Sequence, residues 1–214
     1  MRLILAFMLM AGIVTAEKAA YPKADTPQNA MRIYFQSLQN ADKATFKTTI
    51  HASKGFVEAM SKTVDLVAAL KTYENAVKLK FKDDKTAQGL IANMVGLKGF
   101  ERQADTMKVK IDKSRAVSVP QYKGEIPVDF ILIDGRWKMD YSKMEKNNPH
   151  ANIVPLAMER AIPRIKEKIV LLIKELETSS KSVQTLNLEL SKTITETIQT
   201  SAMEVMHEQH PTKK

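Results

Sequence analysis

Cysteine is absent from this chain of 214 residues. Disulfide bonds, thiolate catalysis, cysteine metal sites and an acylated-cysteine lipid anchor are therefore not expected, and the fold must rely on its core alone. Asn-x-Ser/Thr triplets are also missing, so N-glycosylation is not expected. Histidine is scarce, with 4 residues, and neither a serine-histidine-acid arrangement nor a glycine-rich phosphate loop is present. Aromatic residues make up 6% of the chain and do not interleave with its lysine clusters, so nucleic acid is not an expected partner. Beyond Val14 no apolar run is longer than that of Ile169 to Ile173, far short of the roughly 20 residues a membrane-spanning helix needs.

The N-terminus is the most informative stretch that is there. Met1-Arg2 supplies a positive charge, Leu3 to Val14 is apolar, and Val14-Thr15-Ala16 ends in small residues before Glu17-Lys18. This is the layout of a signal peptide cleaved near Ala16, and it predicts an exported protein, periplasmic or secreted. Hydrophobic content of 44% and charged content of 27% fit a folded domain. The formal net charge of +9 gathers in Lys78-x-Lys80-x-Lys82 and along Lys108-x-Lys110-x-x-Lys113-x-Arg115. Such a balance suits an anionic envelope surface as partner, or a solvated face that aids solubility.

Residues 17–25 read as a flexible leader, residues 26–145 as an α+β domain and residues 146–214 as a helical C-terminal extension. Thr26-Pro27 supplies an N-cap and a proline at the first helical position. The helix it opens ends at Asn40-Ala41-Asp42. A second short helix holds Phe46 and Ile50, a long amphipathic one runs from about Phe56 to Val77, and Thr86 to Val95 forms another.

The period then changes to two. Met107, Val109 and Ile111 alternate with charged residues, Arg115 to Tyr122 returns, and Val128 to Ile133 leads into Asp134-Gly135, a favoured two-residue hairpin turn. Trp137, Met139 and Tyr141 complete an antiparallel meander of four strands. In its third strand Phe130 and Leu132 face one way and Ile131 and Ile133 the other, so both faces are apolar. One is expected to lie under the N-terminal helices, the other under the C-terminal helices or another subunit.

Helical spacing resumes near Ile153, with Pro163 expected to start or kink a helix. Ile162, Ile165, Ile169, Leu172, Leu176, Val183, Leu186 and Leu190 keep heptad spacing, interrupted in polarity only by Ser179. Unbroken phase favours a single helix of roughly 65 Å at 1.5 Å per residue. A hairpin restarting at Ser182 is the alternative. Either way the seam needs a partner: the same chain, a second copy or another protein.

Several short motifs resemble exported bacterial members of the nuclear transport factor 2-like superfamily over about residues 26–142. They are Thr26-Pro27-x-x-Ala30, Tyr34-Phe35-x-x-Leu38, Asn40-Ala41-Asp42 with Phe46, Arg115-Ala116-Val117-Ser118-Val119, and Asp134-Gly135-Arg136-Trp137-Lys138-Met139-Asp140. The resemblance implies a cone-shaped α+β roll whose helices pack on a curved sheet. Enzymes of that superfamily use a carboxylate with tyrosine or histidine at the cone mouth, which would correspond here to Asp129, Tyr34, Tyr73 and Tyr141. Function belongs to sites rather than folds.

Burial within its apolar strand would raise the Asp129 pKa toward general-base use, while the plainer reading is a solvated carboxylate. His207 and His210, three apart beside Met203 and Met206, resemble a soft-metal string, against a frayed C-terminus carrying chance histidines. The expectation is a non-enzymatic binding or interaction module without cofactor. Phe130, Leu132, Ile131, Ile133 and Trp137 are its pocket or interface residues, and the heptad face serves self-association or partner binding. A small apolar ligand would suit the pocket. The alternative is a small-molecule isomerase or dehydratase using the cone pocket.

Overall fold

The computed structural model describes residues 20–82, 100–147, 153–178 and 180–209. The expected helix over Thr86 to Val95 and the signal segment lie outside the described residues. Helix α1 (Pro27–Gln39) begins as anticipated: the Thr26 hydroxyl accepts the Asn29 N–H at 3.1 Å, and Pro27 contributes no donor that needs a partner. The helix stops at Asn40, and Ala41 turns the chain with a φ of 55°. Asp42 then caps α2 (Lys43–Thr48) by accepting the Thr45 N–H at 3.0 Å.

Ile50 does not continue α2. It forms β1 (Ile50–His51) and pairs in parallel with Met139. A two-residue strand has no alternation to read, so only its partner reveals it. Ser53 caps α3 (Lys54–Lys80), and Glu145 holds both the Ser53 N–H, at 3.0 Å, and its hydroxyl. Phe56, Val64, Val67, Leu70 and Val77 are buried along α3 as the periodicity indicates.

After α4 (Phe100–Thr106) come β2 (Val109–Asp112), β3 (Arg115–Ser118), β4 (Asp129–Ile133) and β5 (Arg136–Asp140). The sheet order is β1-β5-β4-β3-β2. The molecule is thus α+β with a mixed five-stranded sheet, rather than the purely antiparallel four-strand meander expected. Asp134 and Gly135 join β4 to β5 with φ of 50° and 72°, the left-handed pair that a type I′ turn requires. In β3 it is Ala116 and Ser118 that are buried, while Val117 faces outward. Ile111 in β2 is 58% exposed, because the turn end of the β2–β3 hairpin extends past the core.

Helix α1 packs on β5 and covers the face bearing Phe130, Trp137 and Met139. After α5 (Ser142–Asn147), α6 (Ile153–Thr178) continues without interruption across Pro163. Ala161, Ile162 and Ile165 are buried on either side of that proline, so packing holds a helix whose ladder has lost one donor. The chain leaves the helix after Thr178, and α7 (Val183–Gln209) starts anew with the Ser182 hydroxyl accepting the Thr185 N–H at 3.2 Å. The hairpin, not the single long helix, is what forms.

Arg160 and Arg164 of α6 pair with Glu208 and Glu204 of α7, which fixes α6 and α7 as antiparallel. Lys80 at the end of α3 donates to the Leu176 carbonyl near the end of α6, so those two helices run parallel. The heptad seam is consumed inside the chain. Ile162, Ile165, Ile169, Leu176, Val183, Leu186 and Leu190 are all buried, and Leu172 is partly buried. Of the partners the seam could have had, the same chain supplies one, because α3 packs along it as an apolar wall. Among the described residues the hairpin lies chiefly against α3 rather than on the sheet.

Candidate functional site

Two strands of backbone share the outer edge of β5. The Met139 and Tyr141 N–H groups donate to Thr49 and His51 along β1, at 2.9 Å each, and the Trp137 N–H donates to the Ala24 carbonyl at 2.8 Å. Residues 20–25, expected as a flexible leader, are therefore tied down at Ala24. The Tyr21 hydroxyl adds a bond to Asp42 at 3.0 Å, and Asn29 donates to Asp25 at 2.8 Å. Burial raises the Tyr21 pKa, helped by the Asp42 charge. Burial opposes the charged form of Asp42 in turn, yet bonds from the Thr45 N–H, the Thr45 hydroxyl and Tyr21 prevail and hold its pKa below the ordinary value.

Between this leader, α2 and the β4–β5 turn lies an open cleft of about 1060 Å³. Ile133 and Trp137 form an apolar part of its lining, and Tyr21, Thr45 and Thr48 bring hydroxyls to it. Lys23, Arg136 and Lys138 also line it, and none of the three has an ion-pair partner among the described residues. Lys23 is far along the chain from Arg136 and Lys138, and none of the three belongs to a lysine cluster, so the sequence gives no sign of their meeting.

The candidates named from sequence are separated by the fold. Asp129 sits opposite Val117 on the outer face of the sheet and pairs with Lys143 at 2.8 Å. Tyr34 is buried against Phe46 and Phe35 at ring separations of 4.8 and 5.1 Å. Burial first, then the neighbouring Tyr141 hydroxyl, drives its pKa well above 10. Tyr73 lies in the helical interior, its hydroxyl without a hydrogen-bond partner among the described residues. Burial and the charges of Glu189 and Glu175 push its pKa up to about 12. No acid–base pair is assembled from Asp129 and these tyrosines.

Phe130 and Trp137 belong to the core, with Leu132 packed partly against it. Ile131 and Ile133 stand half-buried on the outer face, where Arg115, Lys138 and Arg136 are their cross-strand neighbours. Long cationic stems beside a β-branched residue screen it from water without another layer of structure. Such stems give this face part of the shielding that its apolar residues need.

His207 is exposed on α7 near exposed Met203 and Met206, and His210 lies outside the described residues. Among the described residues no group of three or more histidine or acidic side chains is placed to hold a metal, and no helix is long and apolar enough to cross a membrane. No family model, curated protein or solved structure matches this chain.

Proposed function

We propose that this protein is an exported, non-enzymatic binding module: an α+β roll of the nuclear transport factor 2-like kind that offers its open cleft to a small ligand. The observation that carries the reading is the way the interior is filled. Phe46 and Phe130 are essentially inaccessible to solvent, and Trp137 and Met139 are buried on the sheet face that α1 covers. A packed interior leaves little room for a substrate inside the cone, and the Lys143 pair occupies the only carboxylate considered as a base. Concave surface is instead found outside, where the leader meets the β4–β5 hairpin. Export rests on the charged, apolar and small-residue succession over residues 1–16.

Thermal-shift screening of the purified protein against small organic acids, amines and neutral metabolites tests this. A ligand that raises Tm in proportion to its concentration and is recovered chemically unchanged is the expected result. Recovery of a converted product, with conversion lost in D129N, would overturn the reading in favour of the isomerase or dehydratase.

A further inference from the structure

We infer that the cleft binds a small amphipathic anion, its charged group held by Arg136 and Lys138 with Lys23 opposite, and its apolar body laid along Ile133. This rests on the binding-module reading and adds the chemistry of the ligand. The cleft also carries three carboxylates, so the sign of the ligand follows from which polar groups are already engaged within the chain. Asp42 accepts from the Thr45 N–H, the Thr45 hydroxyl and Tyr21. Asp25 accepts from Asn29. Asp134 is the one carboxylate of the lining without a donor among the described residues. Against it stand three cations without an ion-pair partner among the described residues, so the formal charges of the lining balance, but its cationic donors, unlike the acceptors of Asp25 and Asp42, are left open to a ligand.

Arg136 and Lys138 are placed by the pleat of the sheet. Arg136 and Lys138 alternate with the buried Trp137 and Met139, so the pleat sends both to the outer face. The register sets Arg136 directly opposite Ile133 and Lys138 opposite Ile131. A guanidinium and an ammonium two residues apart, with an isoleucine between strands beside them, match a carboxylate, sulfonate or phosphate attached to an apolar group. Thr45 and Thr48 already donate to Asp42 and to the Thr45 carbonyl, so their oxygens are left as acceptors at the opposite wall.

The test uses three compounds of nearly one shape: indole-3-acetate, indole-3-acetamide and tryptamine, titrated into ¹⁵N-labelled protein. The anion is expected to shift the backbone amides of residues 133–138 and of Lys23, with an affinity that falls as salt is added. R136A and K138A, both substitutions at exposed or half-exposed positions, are each expected to weaken it about tenfold. D134N is expected to tighten it by removing the one free carboxylate. Equal or stronger binding of the amide or the amine overturns the anion inference but leaves a binding cleft in place. Absence of any shift from all three overturns the inference, and a blank metabolite screen beside it removes the binding reading as well.

Discussion

Replacing Phe130 with alanine is expected to cost about 3–5 kcal/mol, measured by urea unfolding, because a ring only 1% exposed would leave a void beneath α1. Polar residues give subtler effects whose signs can be worked out. The folded pKa of Asp42 lies below its ordinary value, so its contribution is present above the unfolded pKa near 4 and fades as pH falls through the folded one. D42A should therefore remove about 1 kcal/mol of capping stability near neutral pH, with the loss shrinking in acid. Tyr73 behaves in the opposite sense. Its pKa is raised to about 12, so its contribution is complete below about pH 10 and is lost as pH rises toward 12. Y73F should be neutral or stabilising by up to about 1 kcal/mol at pH 7, since it deletes a buried hydroxyl that lacks a partner, and should flatten the alkaline limb of stability. A Y73F protein markedly less stable at pH 7 would mean that hydroxyl has a partner.

Among elements, the α6–α7 turn shows how local chemistry overrode a continuous hydrophobic phase. Lys181 bridges Glu175 before the break and Glu189 after it, at 2.7 and 2.9 Å, and Ser182 caps the returning helix. These exposed ion pairs contribute little singly, and the larger stabilisation comes from burying Leu186 and Leu190 against α6. L186A is accordingly expected to lose about 2–5 kcal/mol, whereas K181A should leave the unfolding midpoint almost unchanged in the same denaturation assay. If K181A were the worse of the two, the hairpin would be held by its turn rather than by its seam.

At the scale of the whole molecule, one continuous set of buried side chains runs from Trp137 and Phe130 through α3 to Ile165 and Leu190. A shared core couples the sheet to the hairpin, so both should unfold together. Trp137 is the single tryptophan and reports on the sheet, while far-ultraviolet circular dichroism reports mainly on the long helices. Coincident transitions by the two probes are expected. Separate midpoints would divide the chain into two units near residue 146. Because α3 covers the heptad seam, sedimentation should also give a monomer at micromolar concentration.

Caps, turn residues and periodicity act over a few neighbouring residues, which is why Thr26-Pro27, Asp134-Gly135 and the buried positions of α3 could be read directly from the chain. The change of period near Met107 likewise marked where helices give way to sheet. Pairings that join distant segments left no such local trace. The parallel strand at Ile50, the docking of Ala24 on Trp137, the return of α7 along α6 and the meeting of Lys23 with Arg136 and Lys138 all depend on which surfaces remain unburied once the other elements have packed. The heptad seam illustrates the division best: its spacing demanded an apolar neighbour, but that the neighbour is α3 of the same chain was decided only by tertiary packing, because hydrophobic burial is satisfied by any surface of suitable shape.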